Sequence, residues 1–311
     1  ATAPPWKVRL YQWFFGLWFP VFLLLSKCPK VILPVASFFM RAFFWIRPQY
    51  LEAIASNYQT IFPEKSPADC KALALQMVDN HSRYWVEFFK FGKLTGDPTR
   101  LLENPETLDQ VLTYTQPGQG AILVTAHMGN WELGGNFFGR LVRPLTVIYM
   151  RDRFNIVERF RSRFRRYSNI KECPVDRSLF STLPALRALE QGEFLALQGD
   201  RDFNERGVMA TFFGKTCTFP EGPYHLALLA RVPVIPCFTL YGKDGRYRIH
   251  LYPPILPPAN GKREDRVQIM LNQYLRVLED VVRQYPDQWY TFYPFFEIKP
   301  DHPAISNAES T

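Results

Sequence analysis

The sequence predicts an α/β fold with a mostly parallel central sheet flanked by helices, preceded by an N-terminal hydrophobic membrane-anchor helix or hairpin. After residue 110, short apolar runs of the length typical of buried strands occur at 121–126, 145–150, 194–198 and 232–241. Segments of helical character separate these runs, and such alternation of strand and helix indicates a parallel sheet. Two long apolar stretches in the first fifty residues predict the anchor.

Composition limits the class of protein. A chain of 311 residues has room for one large core with helical additions. A net charge of +8 beside an aromatic content of 16% fits a nucleic-acid binder or a protein on an anionic membrane. The cysteines show neither metal-ligand spacing nor a disulfide framework, so we expect free thiols in a reducing compartment. They are Cys28, Cys70, Cys173, Cys217 and Cys237.

Residues 1–50 are predicted to form the membrane anchor. Residues 10–25 carry no charge but are fewer than the roughly 20 that a straight spanning helix needs. A second apolar stretch at 31–46 follows, and Pro20 and Pro34 interrupt any continuous helix. Flanking lysines, arginines and tryptophans suit lipid headgroups. Whether the anchor spans the bilayer or lies in its interface stays open, and a buried helical hairpin is the alternative.

Three segments are predicted to follow the anchor. Residues 51–110 have apolar positions at helical spacing and form a helical lead-in. Residues 111–297 form the α/β core, and 298–311 form a flexible tail without apolar periodicity. Helices in the core are expected near 131–142, 156–167, 180–191, 221–231 and 264–285. The turn at 243–246 predicts a hairpin between 247–255 and the preceding strand.

The segment that follows the first core strand holds a candidate catalytic pair. The strand at 121–126 delivers His127 at its carboxyl end, where open α/β sheets bind ligands. Gly129 and Asn130 then turn the chain into a helix, with Asn130 as candidate N-cap. Glu132, in the first helical turn, is expected to hold the Nδ1 proton of His127 while Nε2 acts as a general base.

Several motifs in this order resemble one enzyme family. The run His127-Met-Gly-Asn-Trp-Glu132-Leu-Gly-Gly resembles the HX4(D/E) motif of the lysophospholipid acyltransferase superfamily, specifically of the bacterial lipid A late acyltransferases. Gln198-Gly-Asp-Arg-Asp202, Phe212-Phe-Gly-Lys215 and Gly222-Pro223 are similar to that branch's acidic loop, FFG and Gly-Pro motifs. Pro286-Asp-Gln-Trp289 resembles its Pro-x-Gln-Trp. The resemblance covers about residues 5–296.

The resemblance implies a glycerolipid acyltransferase-like fold and a reaction. A fatty acyl chain passes from acyl carrier protein or coenzyme A to a hydroxyl of a membrane glycolipid, with a lipid A precursor as leading acceptor. His127 and Glu132 would be catalytic, without metal or prosthetic group, at the cytoplasmic side of the bacterial inner membrane. The residues implied to bind substrate are Asn130, Arg151, Arg163, Asp200 and Asp202. The aromatic ending 290–297 departs from the basic ending of lipid A enzymes, so a different lipid is the alternative acceptor.

The predicted helix at 156–167 is strongly basic. It places Ile156, Phe160, Phe164 and Tyr167 on one face and carries five arginines elsewhere. Membrane headgroups, acceptor phosphates or the acidic surface of acyl carrier protein would each suit such a surface, and an inert solvated face is the alternative.

Rival functions remain beside acyl transfer. A hydrolase could use the same histidine to activate water on a lipid ester or thioester. A serine hydrolase is disfavoured because no GxSxG elbow occurs, and a metal hydrolase because no further His and Asp lie at ligand spacing. A non-enzymatic membrane or nucleic-acid binding protein that uses the basic helix is disfavoured because the chain carries no recognised RNA or DNA motif and its basic residues share the chain with a membrane anchor.

Overall fold

The structure is a computed structural model that describes residues 29–90, 96–151, 155–175, 182–202 and 207–297. Residues 1–28 of the predicted anchor and the predicted tail 298–311 lie outside the described residues. The helices are α1 Pro29–Ile46, α2 Pro48–Ile61, α3 Pro67–Lys90, α4 Thr107–Gln110, α5 Trp131–Leu141, α6 Asn155–Tyr167, α7 Leu183–Glu190, α8 Gly222–Ala230 and α9 Arg263–Gln284. The strands are β1 Ala121–Thr125, β2 Leu145–Tyr149, β3 Ile170–Pro174, β4 Phe194–Gln198, β5 Val208–Phe212, β6 Lys215–Phe219, β7 Val234–Tyr241 and β8 Tyr247–Leu251.

The central sheet has the strand order β3-β2-β4-β1-β7-β8. Neighbouring strands from β3 to β7 in this order are parallel, and β8 pairs antiparallel with β7 at one edge. Strand β1 lies inside the sheet, and its residues Ile122 and Val124 are completely buried, as expected for a parallel strand covered on both faces. The predicted α/β fold with a mostly parallel central sheet and the predicted β7–β8 hairpin are therefore confirmed.

Two β elements were not predicted from the sequence. Strand β3 occupies the far edge of the sheet, where Lys171 faces solvent, so its apolar pattern is weak. Strands β5 and β6 form a separate hairpin around Phe213 and Gly214, whose φ angles are both positive, at 49° and 71°. Two such residues are typical of a type I′ turn, which matches the twist of a hairpin. The FFG motif is thus a hairpin turn.

Helix α1 packs on α3 with one side and exposes apolar residues on the other. Ile32 and Phe44 are buried, and Arg41 Nε donates to Asp79 Oδ1 of α3 at 2.9 Å. Among the described residues, no single helix is both long and apolar enough to cross a bilayer, although α1 and α2 together pass such a test across a bend of 96°. The exposed apolar residues of α1 are Val31, Val35, Phe38, Phe39, Phe43, Trp45 and Ile46.

The turn from β1 into α5 depends on Gly129, which has a φ of +54°. A Cβ at this position would lie 2.2 Å from the Thr239 carbonyl oxygen, so a larger residue would push the turn away from β7. The next residue, Asn130, donates its backbone N–H to that same oxygen at 2.9 Å. Its side-chain Oδ1 accepts from Leu133 N at 3.1 Å, which confirms Asn130 as the N-cap of α5.

Candidate active site

Strand register brings His127 and Asp200 together. Strands β1 and β4 are adjacent and parallel, and Thr125 lies opposite Gln198 at their carboxyl ends. The ladder continues one step further, because Gly199 N donates to Thr125 O at 2.8 Å. His127 and Asp200 each follow their strand's last residue by two positions, so the two side chains meet at the carboxyl edge of the sheet, where α/β folds bind ligands.

The imidazole of His127 is held by Asp200. Nδ1 of His127 lies 2.8 Å from Asp200 Oδ1, and the His127 backbone N–H donates to Oδ2 at 3.1 Å. Because an ionised carboxylate can only accept, Nδ1 must carry the hydrogen of this contact. Nε2 is then the nitrogen able to accept a proton, which is the arrangement of a general base oriented by a carboxylate.

The electrostatics of the pair suit a base at neutral pH. Burial lowers the pKa of His127 below its ordinary value, and the positive charge of Arg201 lowers it further, against the opposing effect of Asp200. For Asp200, burial would raise the pKa, but the contacts with His127 and the charge of Arg201 outweigh it and keep the pKa below the usual range. At neutral pH Asp200 is therefore charged and His127 neutral.

Glu132 does not contact the imidazole, so the prediction that it holds the Nδ1 proton is wrong. Its carboxylate, almost completely buried, accepts from Arg165 Nη2 at 2.8 Å and lies 3.1 Å from Arg161 Nε. Glu132 lies on the side of α5 that faces α6, so its carboxylate contacts the two arginines of α6 and not the imidazole at the end of β1. Asp200 therefore takes the position that sequence reasoning assigned to Glu132.

The buried cluster of Glu132, Arg161 and Arg165 is expected to hold α5 against α6. Glu132→Gln should lower the free energy of unfolding by about 3 kcal/mol or more, because it leaves buried guanidinium charge uncompensated. Denaturant unfolding measures this. The matched control is Asp280→Asn, which removes an exposed partner of Arg283 and should cost less than about 1 kcal/mol. Equal, small losses in both variants would contradict a structural role for Glu132.

The arginines of α6 divide into two groups, unlike the single basic surface predicted. Arg161 and Arg165, one helical turn apart, face Glu132, whereas Arg159, Arg163 and Arg166 are exposed. The predicted apolar face is also only partly correct. Phe164 is buried, but Tyr167 is half exposed and lies beneath the Arg163 guanidinium, 5.8 Å from the ring centroid.

The remaining predicted substrate-binding residues lie in different places. Arg151 is exposed after β2, and Arg163 is on the outer side of α6. Asn130 is buried, and its amide groups contact Leu133 N and, at 3.3 Å, the Tyr247 hydroxyl. Asp202 accepts from Gly207 N at 2.6 Å. Of these predicted residues, Asp200 alone makes a direct hydrogen bond to His127 in the part of the chain that the structure describes.

The segment after α9 contributes groups that sequence reasoning did not assign to the site. The backbone N–H of Tyr290 donates to His127 O at 2.8 Å, and Gly129 N donates to Gln288 O at 3.0 Å. Trp289 Nε1 donates to Asp200 Oδ2 at 3.1 Å, and Arg201 Nε lies 3.8 Å from the same oxygen. The Pro-x-Gln-Trp motif could have drawn attention to this segment. The motif does not show, however, that the segment contacts His127 and Asp200.

A cavity lies between α5 and the face of the sheet that α5 covers. Its wall beside His127 includes Trp131, whose ring packs edge-on to the imidazole with the centroids 5.5 Å apart. Glu132 and Arg165 provide the polar part of the wall. Alternate residues of neighbouring strands provide an apolar floor, because they point to one face of the sheet. On β1, β2 and β7 they are Leu123, Thr125, Leu145, Val147, Cys237 and Thr239.

The residues that the structure describes contain no group of three or more His, Cys, Asp or Glu side chains arranged to hold a metal ion. Cys70, Cys173, Cys217 and Cys237 are buried and unbridged.

Known proteins similar to this chain are lipid acyltransferases. The chain is 25% identical over 236 residues to a phosphatidylinositol mannoside acyltransferase of Mycolicibacterium smegmatis, with 74% of each chain covered. It is 23% identical over 253 residues to the enzyme of that name in Mycobacterium tuberculosis, covering 78% of this chain and 76% of the relative. A solved structure, the 1-acyl-sn-glycerophosphate acyltransferase PlsC of Thermotoga maritima, aligns with 86% of this chain and 100% of its own, at 14% identity and a TM-score of 0.39.

The family assignment comes from a match along nearly the whole sequence. The model of the bacterial lipid A biosynthesis acyltransferases matches residues 7–297, which include the HX4E segment, the FFG hairpin and the Gln288-Trp289 pair. The family predicted from these motifs is thereby confirmed. The chain belongs to the bacterial lipid A biosynthesis acyltransferase family and is an acyltransferase of lipid-related substrates.

Proposed function

We propose that the protein transfers a fatty acyl chain from a thioester donor, acyl carrier protein or coenzyme A, to a hydroxyl of a membrane glycolipid, with His127 as general base. The observation that carries the proposal is the His127–Asp200 hydrogen bond of 2.8 Å at the carboxyl edge of the sheet. It supplies an oriented, neutral imidazole near a cavity with an apolar floor.

The reaction follows from these positions. Nε2 of His127 takes the proton of the acceptor hydroxyl, and the oxygen attacks the thioester carbonyl carbon. Asp200 stabilises the imidazolium through its contact with Nδ1, as the carboxylate of a catalytic triad does. The carbon–sulfur bond then breaks, and the thiolate leaves with the proton that His127 returns. No covalent acyl-enzyme is needed, because the acceptor oxygen is itself the nucleophile.

The products of the reaction test this function. Purified protein is supplied with an acyl thioester and with either a lipid A precursor or a phosphatidylinositol mannoside, and lipids are analysed by mass spectrometry. An acylated glycolipid is expected, formed in equal amount to the free thiol. Free fatty acid in place of acylated lipid, with every acceptor tried, would instead support a hydrolase. Lipid A is the product in the name of the family, and phosphatidylinositol mannoside is the substrate in the names of the mycobacterial relatives.

The cavity beneath α5 is the proposed binding site of the acyl chain. Its apolar floor suits a hydrocarbon chain, and its Trp131 wall adjoins the imidazole. Gly135 of α5 lies in the wall, and a Cβ there would meet Ile170 Cδ1 and Leu145 Cδ2 at an ordinary 3.5 Å. Gly135 thus leaves this part of the cavity wall without a side chain.

Gly135→Leu is expected to shorten the preferred acyl chain. The added side chain would fill space that the hydrocarbon would otherwise occupy, without forcing a backbone clash at Cβ. Competition between acyl donors of graded chain length, read by mass spectrometry, measures the preference. Gly135→Ala is the matched control, since it adds only Cβ and should keep the preference while stabilising the helix by up to about 1 kcal/mol. An unchanged preference in the leucine variant would place the acyl chain elsewhere.

The exposed side of α6 borders a groove suited to an anionic part of a substrate. Arg151, Arg159 and Arg166 line this groove, together with Glu158 and Glu172. Phosphates of the acceptor, headgroups or the acidic surface of acyl carrier protein would each be attracted to the arginines. Arg151 therefore keeps its proposed role in substrate binding, and Arg163 lies on the same exposed side of the helix.

Attachment to a membrane is proposed through the exposed apolar side of α1. This side carries Phe38, Phe39 and Trp45, while the opposite side packs on α3 and is held by Arg41. Because one side already contacts protein, an orientation in the plane of the interface exposes only the other side to lipid. We propose attachment at the cytoplasmic side of the bacterial inner membrane, where the acyl thioester donors are found.

Phe38→Ser combined with Phe39→Ser should weaken binding to anionic lipid vesicles by about 100-fold or more, since each buried aromatic side chain contributes about 1.5–3 kcal/mol. Flotation of the full chain with phosphatidylglycerol-containing vesicles measures the effect. Leu256→Ser, at another exposed apolar residue, is the matched control and should bind normally. Undiminished flotation of the double variant would remove α1 from the proposed membrane surface.

A further inference from the structure

Trp289 reaches the catalytic pair from the far end of the chain. Its side chain is completely buried, and its Nε1–H donates to Asp200 Oδ2 at 3.1 Å. This oxygen also accepts from the backbone of His127 at 3.1 Å, while the other oxygen, Oδ1, contacts Nδ1 of the imidazole. The indole and His127 thus hold the same carboxylate from different sides.

The position of Trp289 is itself determined by aromatic packing and by the backbone. Its ring packs edge-on to Phe212 of the FFG hairpin, with the centroids 5.9 Å apart, and to Phe295 at 4.9 Å. Its backbone forms an isolated bridge with Met128, the residue after His127. Displacement of the indole would therefore disturb several contacts at once, so its N–H is directed at Asp200 by the fold.

We infer that Trp289 is a positioning residue for the acyl-transfer reaction, which acts by donating a hydrogen bond that orients Asp200 and restrains its attraction for the His127 proton. The inference rests on the proposed role of His127 as base. Packing alone would be satisfied by phenylalanine, which is already the residue type at positions 212 and 295, whose rings contact the indole. A donor from tryptophan instead places a hydrogen bond on a fully buried carboxylate, where such bonds are strongest.

The hydrogen bond affects His127 through the charge of Asp200. A carboxylate that loses one donor has its negative charge less dispersed, and so attracts the imidazolium more strongly. In the part of the chain that the structure describes, Arg201 and Arg161 also act on His127 through their charge, and both remain when Trp289 is changed. Removing the indole N–H should therefore raise the pKa of His127 while loosening the orientation of its ring.

The test compares Trp289→Phe with a second variant in which residue 289 is benzothienylalanine, a bicyclic isostere with sulfur in place of the N–H. The pKa of His127 is read from the NMR titration of its ring, assigned by the signal lost in His127→Gln, in the protein without substrate. Both variants are expected to raise this pKa by several tenths of a pH unit and to lower kcat about tenfold, as for loss of one charge-assisted hydrogen bond. Phenylalanine is smaller than tryptophan and could disturb the packing around residue 289. The isostere has the size of tryptophan, so it removes the N–H while the packing is kept.

Two controls separate this role from a merely structural one. In an Asp200→Asn background, the same change at Trp289 should leave the titration of His127 unmoved, since the charge through which it acts is gone. Trp85→Phe, which removes an indole from the neighbouring aromatic cluster, should leave the His127 pKa unchanged. An unchanged or lowered His127 pKa in the Trp289 variants would overturn the inference, even if kcat fell. If His127 were not the general base, the result would be different: a His127 variant would retain acyl transfer.

Discussion

Replacement of His127 by alanine is expected to reduce the rate of acyl transfer by about 100-fold to 10,000-fold, which is the usual contribution of general acid–base catalysis. The variant lacks the group that removes the acceptor proton and returns it to the departing thiolate. Steady-state transfer to a glycolipid acceptor, followed by mass spectrometry, measures the loss. Binding of the acyl donor should largely survive, because the proposed acyl cavity is lined by other residues.

The His127→Ala experiment needs a check on folding. The side chain of His127 is partly buried, and the hydrogen bonds of its backbone to Asp200 and Tyr290 are retained in the variant. The circular dichroism spectrum and the unfolding midpoint should therefore remain close to those of the unaltered protein. Near-normal transfer by a folded His127→Ala protein would remove the central element of the proposed mechanism.

Asp200→Asn is expected to reduce kcat by about 1,000-fold or more, in the manner of an orienting carboxylate that is replaced by its amide in a catalytic triad. Asparagine has nearly the same shape, but it cannot compensate the positive charge that forms on His127. Its NH2 group would also face a donor where the carboxylate now accepts. By contrast, Glu132→Gln should lower stability more than catalysis, because Glu132 contacts Arg161 and Arg165 and not the imidazole.

The pH profile distinguishes Asp200 from a residue that matters only for folding. In the unaltered protein kcat/KM should be constant near neutrality and fall as the pH drops through the lowered pKa of His127, because the protonated imidazole is no base. The charge of Asp200 raises that pKa, against the stronger effect of burial. Asp200→Asn should therefore move the acid limb to lower pH. A limb that stays in place would mean that Asp200 does not act on the base.

Much of the fold was predictable from local pattern. Buried strands such as β1 and β7 are continuous apolar runs, and the glycine and asparagine after His127 stop the strand and start the helix. The strands that were not predicted are those that the rest of the protein covers on one side only. Strand β3 is at an edge, and the β5–β6 hairpin lies outside the main sheet, so charged and polar residues interrupt their apolar pattern.

The family, the place of the proposed base at the end of β1 and the capped helix that follows it could be predicted from the sequence, because they depend on neighbours within a few residues. The partner of the proposed base could not be predicted in this way, because it depends on the tertiary fold. Glu132 lies five residues from His127 along the chain, yet its carboxylate pairs with the arginines of α6. Asp200 lies 73 residues away, yet the parallel pairing of β1 with β4 brings it to Nδ1. Strand order depends on the packing of the whole core. It therefore cannot be predicted from the spacing of residues within a short segment.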